Sequence, residues 1–99
     1  MKLVVADSAW ASLSILTDYW SDLKTHERIV QRVDELWDNV DWLLKHPRAG
    51  QVEEQLDELG LGHRRWVVRE VKIVYRIVGQ VLLITEFFDS RQDPRKIKG

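Results

Sequence analysis

Cysteine is absent from this 99-residue chain, and proline occurs only twice. Without thiols the protein has no disulfide framework, no thiolate zinc site and no cysteine nucleophile. No apolar run approaches the roughly 20 residues of a membrane span. Only four apolar residues lie between Lys2 and Asp7, which is too few for the core of a secretory signal. The chain is therefore expected to be a soluble, cytoplasmic protein without a metal or other cofactor.

The charges of the chain are unevenly distributed, although its hydrophobic content of 44% suits an ordinary folded domain. Residues 1–62 carry a net charge of −6 and residues 63–99 a net charge of +5, while the whole chain is at −1. The acidic part repels phosphate as the basic part attracts it. Any binding of phosphate-bearing or acidic partners is therefore expected to be confined to the C-terminal third.

Two amphipathic helices are predicted after a short strand at residues 3–5. The strand ends at Asp7 and Ser8, either of which can cap a helix. Apolar residues then recur at helical spacing as far as Asp22, namely Trp10, Leu13, Leu16 and Trp20. Thr25 is expected to cap a second, longer helix that ends at His46, before Pro47. The two helices should form an antiparallel hairpin.

Three strands are predicted in the C-terminal third, at residues 64–69, 71–78 and 80–88, after a loop at residues 47–62 with one helical turn. The last two form a hairpin at Gly79. The predicted single domain (residues 1–99) is α+β, with the helix hairpin packed on a curved, mainly antiparallel four-stranded sheet. One face of this sheet is expected to be buried and the other to be cationic. Residues 89–99 are expected to be a partly flexible C-terminal tail.

Basic side chains on or beside these strands are the main functional candidates: His63, Arg64, Arg65, Lys72, Arg76 and Arg91. A ribonuclease that uses the RNA 2′-OH needs a base, an acid and cations that stabilise the phosphorane. Arginine and lysine can supply those cations without a metal. A solvated sheet face, or a face that binds an acidic partner, explains the same pattern.

Five tryptophans are present, and four of them lie in the predicted helices: Trp10, Trp20, Trp37 and Trp42. Packing within the core or between the helices is the favoured role. Trp42 lies beside Asp41 and off the main apolar stripe, so it is a candidate for contact with a partner. The three histidines are dispersed without the spacing of metal ligands, which argues against a zinc site.

Two segments, Lys72-Ile73-Val74-Tyr75-Arg76-Ile77 and Phe88-Asp89-Ser90-Arg91-Gln92-Asp93-Pro94, resemble sequences of the RelE/ParE family of toxins from bacterial type II toxin–antitoxin systems. These toxins are also called plasmid stabilisation proteins. The resemblance covers essentially the whole chain. Its most specific parts are the basic residue three positions before the tyrosine of the central strand, the hairpin, and the arginine after the last strand. It implies the toxin fold, growth arrest and an antitoxin partner.

The RelE-like branch consists of mRNA interferases that cut messenger RNA in the ribosomal A site with basic residues and a C-terminal tyrosine. The resemblance matches the basic set to His63, Arg65, Lys72 and Arg91. The tyrosine is missing, because Ile97 and its neighbours occupy that region. The acidic surface of the second helix is also poorly suited to ribosomal RNA.

The ParE-like branch poisons DNA gyrase, and the long second helix and the Ser-Arg-Gln-Asp-Pro ending resemble that branch more closely. The resemblance therefore implies a gyrase inhibitor in a possible hetero-oligomer with its antitoxin, whose acidic residues would pair with Arg65, Lys72 and Arg91. The residues implied in antitoxin or target binding are Arg64, Arg65, Lys72, Arg76, Arg91 and Trp42. An mRNA endoribonuclease is the alternative, and an inactive antitoxin-binding module of the same fold is the second alternative.

Overall fold

The computed structural model describes all 99 residues. Along the chain the elements are β1 (Lys2–Val5), α1 (Asp7–Ser21), α2 (His26–Lys45), β2 (Gln51–Val52), a 3-10 helix (Glu54–Leu59), β3 (Arg64–Val68), β4 (Val71–Val78), β5 (Val81–Asp89) and a second 3-10 helix (Pro94–Lys96). No helix is long and apolar enough to cross a membrane.

The strands form one sheet in the order β1-β5-β4-β3-β2, in which β1 runs parallel to β5 and the other pairs are antiparallel. The predicted α+β class and the helix hairpin are confirmed. The predicted count of four strands is wrong, because Gln51 and Val52 pair with Arg65 and Arg64 to form a fifth strand at the edge. A strand of two residues is too short to show an alternating pattern in sequence.

A bulge in β5 changes which side chains face the helices. Val74 pairs with Glu86 and Tyr75 with Ile84, so Thr85 is an extra residue in β5. Side chains normally alternate between the two faces of a strand. Because of the extra residue, Ile84 and Phe87 both contribute to the core beneath the helices although they are three positions apart.

Hydroxyl groups of α1 attach this helix to β5. The Ser8 hydroxyl donates to the Thr85 carbonyl oxygen at 2.8 Å, and the Ser12 hydroxyl oxygen accepts from the Phe87 N–H at 2.9 Å. The expected cap at Asp7 or Ser8 is therefore wrong: the N-cap is Ala6, which has no side-chain bond. The cap predicted for α2 is confirmed, since Thr25 Oγ1 accepts from the Arg28 N–H at 3.3 Å.

The main core lies between the helices and the sheet, and its largest buried side chains are Trp20, Tyr75 and Phe87. A second, smaller cluster lies on the opposite side of the sheet and consists of Leu56, Val74, Phe88 and Ile97. The second face, which was expected to be cationic, therefore also carries an apolar cluster. The alternation of apolar and basic residues along the strands predicted that one face of the sheet points away from the helices. It did not predict that the first 3-10 helix and the C-terminal tail cover part of that face.

The C-terminal segment folds back over the sheet. Ile97 is buried, and the Lys98 N–H donates to Glu86 Oε2 at 2.6 Å. Gly99 lies against His63. These contacts show where the segment lies. The expectation that residues 89–99 are partly flexible stays a prediction.

Candidate functional site

The face of the sheet turned away from the helices, called the outer face here, carries three of the predicted cations. Arg65 pairs across the strands with Val74, and Lys72 with Phe88. Arg76 follows Val74 by two positions and therefore has the same orientation. The three side chains share this face but differ in how they are engaged.

Arg65 is fully engaged by neighbouring groups. Its guanidinium donates to the Val52 carbonyl oxygen at 2.7 Å, to Gln51 Oε1 at 3.0 Å and to Glu53 Oε2 at 3.3 Å. Glu53 is only 2% exposed, and a buried carboxylate is stable only when it is paired. Arg65 therefore holds β2 against β3 and neutralises a buried charge.

Arg64 and Tyr75 hold the loop between α2 and β2. Arg64 donates to the Gly50 carbonyl oxygen at 2.7 Å. The Tyr75 hydroxyl donates to the Pro47 carbonyl oxygen at 2.8 Å and accepts from the Gly50 N–H at 2.9 Å. Burial raises the pKa of Tyr75, so the hydroxyl stays protonated. Both side chains have structural contacts in the loop.

His63 is buried, with 2% of its surface exposed, and neither ring nitrogen has a hydrogen-bond partner. A Cβ atom at Gly99 would lie 2.5 Å from His63 Nε2, so the tail backbone covers the ring. Burial, and then the charge of Arg76, lower the pKa of His63. The imidazole is therefore neutral at pH 7 and is shielded from solvent by the tail.

Lys72 and Arg76 are the two cations of the outer face that belong to no ion pair. Both are partly exposed. Lys72 Nζ lies 5.9 Å from the centroid of the Phe88 ring, at the long end of a cation–π contact. These two side chains are available to an anionic group of a partner.

Arg91 points toward α1. Its Nη2 lies 2.8 Å from Asp89 Oδ2 and its Nε 3.0 Å from Asp89 Oδ1, and its Cζ lies 5.7 Å from the centroid of the Tyr19 ring. The hydrogen bonds from Arg91 lower the pKa of Asp89. The predicted basic set is therefore not one cluster: the tail covers His63, Arg65 and Arg91 are in separate ion pairs, and Lys72 is unpaired on the outer face. No group of three histidine, aspartate or glutamate side chains is placed to hold a metal ion.

Trp42 is 41% exposed, and two aromatic rings stack against its indole. The His46 ring stacks on it with a centroid distance of 4.1 Å, and the Trp66 ring with 5.0 Å. Trp66 Nε1 in turn donates to Asn39 Oδ1 at 2.9 Å. Trp42 is therefore held by packing within the molecule, and its exposed part is accessible to a partner.

A groove of about 580 Å³ lies between α1 and the end of β5, with Ile15, Tyr19 and Phe88 among its lining residues. Ile15 is 68% exposed and Tyr19 45%. β1 pairs only with Val81–Ile84, so the end of β5 has no strand on this side. Sequence reasoning missed the groove. Its signal was the pair of apolar residues Ile15 and Tyr19, four positions apart on α1 and outside the buried stripe.

This fold is shared with a solved toxin–antitoxin structure. The chain superposes on a chain of the structure described as "Chromosomal ParDE TA system from P. aeruginosa" with a TM-score of 0.71 and 21% sequence identity. The match covers 88% of this chain and 92% of that chain. No protein-family model matches the chain, and no curated protein matches it in sequence. The predicted resemblance to RelE/ParE toxins is therefore confirmed for the fold, which by itself does not specify a function.

Proposed function

We propose that this chain is the toxin of a type II toxin–antitoxin module and acts in the cytoplasm. It arrests growth by poisoning DNA gyrase, as the ParE-like branch does, and its antitoxin neutralises it by direct binding. The observation that carries this proposal is the fold shared with a chain of a ParDE system over 88% of the present chain. The charge division supports it, because a basic C-terminal third fits an acidic antitoxin segment.

The engagement of the basic residues supports an interaction mechanism rather than cleavage of RNA. Cleavage needs a base, an acid and a cation within hydrogen-bond reach of one phosphate. His63 is covered by the tail, Arg65 is bonded to Glu53, and Arg91 is paired with Asp89. Ile97 is packed against Leu56, Val74 and Phe88, in the region where the nuclease branch has its tyrosine.

The antitoxin surface in this proposal joins the outer face to the groove. Lys72 and Arg76 supply unpaired cations. Phe88 pairs with Lys72 across the strands and also lines the groove that contains Ile15 and Tyr19. An antitoxin segment with both acidic and apolar side chains is complementary to this surface.

The test of the function is induced expression of the chain with and without a candidate antitoxin. Gyrase-linked DNA breaks and messenger RNA 5′ ends are mapped in the same cells. We expect growth arrest with accumulated DNA–gyrase cleavage complexes and intact messenger RNA. Codon-phased RNA ends would instead support the mRNA endoribonuclease. Absence of arrest by a correctly folded protein would leave an antitoxin-binding module.

The test of the antitoxin surface compares two charge-reversal variants. Lys72→Glu with Arg76→Glu changes the outer face, whereas Lys2→Glu with Lys45→Glu changes the total charge equally at exposed positions elsewhere. Arg65 is unsuitable, because its replacement would leave the buried Glu53 carboxylate without its ion pair. We expect the first variant to weaken antitoxin binding at least tenfold and the second to leave it within about twofold. Equal affinities for both variants would refute this surface.

A further inference from the structure

A second cationic site lies at the N-terminal half of α2, on residues that the proposed function does not use. It is a surface pocket of about 260 Å³ whose lining residues are all polar: Lys24, Arg28, Gln31, Arg32, Glu35 and Arg69. Arg69 comes from the turn between β3 and β4, so the pocket is formed only when the helix hairpin packs on the sheet.

Cations exceed carboxylates at this pocket. Arg69 Nε lies 2.8 Å from Glu35 Oε1, and Arg32 Nη2 lies 3.0 Å from Oε1 of the neighbouring Glu70. Lys24 and Arg28 belong to no ion pair. With the two paired carboxylates included, the pocket therefore has a local charge of +2.

The local structure is unfavourable in two respects, and an anion would relieve the first of them, the repulsion between like charges. Arg28 and Arg32 are four residues apart on α2, and like charges at this spacing destabilise a helix. Arg69 has a φ of 56°, the one left-handed conformation among the non-glycine residues, and this conformation is costly for a residue with a Cβ atom. The hydrogen bond from Arg69, together with the charges of Arg69 and Arg32, lowers the pKa of Glu35.

The Arg32 guanidinium has a donor without an acceptor at this place. Its Nε is buried and makes no hydrogen bond, whereas its Nη2 contacts Glu70 Oε1 as an ion pair at 3.0 Å without hydrogen-bond geometry. The Arg32 guanidinium lies over the Trp20 ring, 5.0 Å from its centroid, and the Trp20 indole N–H is also buried without a partner. Buried donors are almost always paired in proteins. The pocket thus combines excess positive charge with one buried arginine donor, Arg32 Nε, that has no hydrogen-bond partner.

We propose that this pocket binds a phosphate group. Phosphate offers several acceptor oxygens, and arginine side chains bind such oxygens in pairs. Since no apolar side chain lines the pocket, the contact involves the phosphate and not an attached base or acyl chain. The phosphate has two possible sources, a free phosphate ion or a phosphodiester of a nucleic-acid backbone.

The experiment compares the unmodified protein with two variants that lose the same charge. Lys24→Gln with Arg28→Gln removes the two unpaired cations of the pocket. Lys2→Gln with Lys45→Gln removes two cations that are outside the pocket and in no ion pair. Inorganic phosphate binding is measured as the rise in Tm relative to chloride at equal ionic strength. Binding of a short DNA duplex is measured by fluorescence anisotropy over a salt series.

We expect phosphate to raise the Tm of the unmodified protein and of the Lys2/Lys45 variant, but not of the Lys24/Arg28 variant. If the source is a phosphodiester, the pocket variant also binds the duplex at least tenfold more weakly, and its salt slope falls by about 0.9 for each lost phosphate contact. A phosphate response without this DNA effect identifies the free ion. Absence of binding to both probes, or equal losses in both variants, would overturn the proposal.

Discussion

The backbone of Gly99 lies against the imidazole of His63, so closely that a Cβ atom at residue 99 would be 2.5 Å from Nε2. The tail therefore controls the accessibility of the one histidine in the predicted basic set. Ile97 holds the tail in place through the small cluster with Leu56, Val74 and Phe88. Release of this contact exposes His63 to solvent.

Replacement of Ile97 by aspartate should raise the pKa of His63. A carboxylate cannot remain among apolar side chains, so the tail detaches and the burial that lowers the pKa of His63 is lost. The pKa then moves toward about 6.5, the value of a free histidine. NMR titration of the imidazole measures it. Lys96→Asp introduces the same side chain at an exposed position and should change nothing; an unchanged pKa in Ile97→Asp would refute the covering role of the tail.

Stability should depend on pH through His63. Its folded pKa is below the unfolded value, so the unfolded state binds more protons once the pH falls below about 6.5. The free energy of unfolding is therefore unaffected by His63 above that pH and decreases as the pH falls below it. Burial raises the pKa of Glu86. Once the pH rises above the ordinary pKa of glutamate, the folded state therefore binds more protons than the unfolded state, and stability falls as the pH rises.

Urea unfolding of the unmodified protein and of His63→Leu between pH 5 and 8 separates the two groups. Leucine has a similar size and leaves no polar group unpaired, because the His63 nitrogens have no partners. We expect the difference between the two stability profiles to grow as the pH falls below about 6.5. Parallel profiles would show that His63 is not buried in its neutral form.

Tyr75→Phe should destabilise the protein by about 1–3 kcal/mol, the usual cost of a buried polar group that loses its partner. The substitution leaves the Gly50 N–H and the Pro47 carbonyl oxygen without the hydroxyl that now bonds to both. Tyr19→Phe removes the same hydroxyl from an exposed tyrosine and should have little effect. Urea unfolding measures both, and equal effects would mean that the hydroxyl does not hold the loop.

Arg65→Ala should destabilise the protein, whereas Arg76→Ala should not. Loss of Arg65 leaves the Glu53 carboxylate buried without its ion pair, at a cost on the order of 2–3 kcal/mol. Arg76 has no ion pair, and its removal should change the free energy of unfolding by less than about 0.5 kcal/mol. Similar values for the two variants would contradict the structural role of Arg65.

Local signals predicted most of the fold. The Thr25 cap and Pro47 delimited α2, and the Gly79 turn, with a φ of 58°, placed the last hairpin. The failures occur where a tertiary contact outweighs local preference. Ser8 bonds to β5 instead of capping α1, and the bulge at Thr85 breaks the alternation of β5. The local sequence around Ser8 predicts a capping role, but it cannot predict a hydrogen bond to Thr85, which is 77 positions away in the chain.

The candidate site was only partly predictable. The sequence predicted a cationic second face of the sheet, and Lys72 and Arg76 lie on that face. The groove at Ile15 and Tyr19 was missed because apolar residues on an amphipathic helix are read first as core. The phosphate pocket was missed because Arg69 joins the α2 cations only through the packing of the hairpin on the sheet.

The sequence by itself determined the order of helices and strands, the division of charge along the chain and the resemblance to toxin sequences, because these depend on residue type and local spacing. The tertiary structure alone decided which basic side chains are available. Arg65 meets Glu53, Arg91 meets Asp89, and the tail covers His63. Charge belongs to each residue, but its partner and its exposure depend on which other segments pack against it.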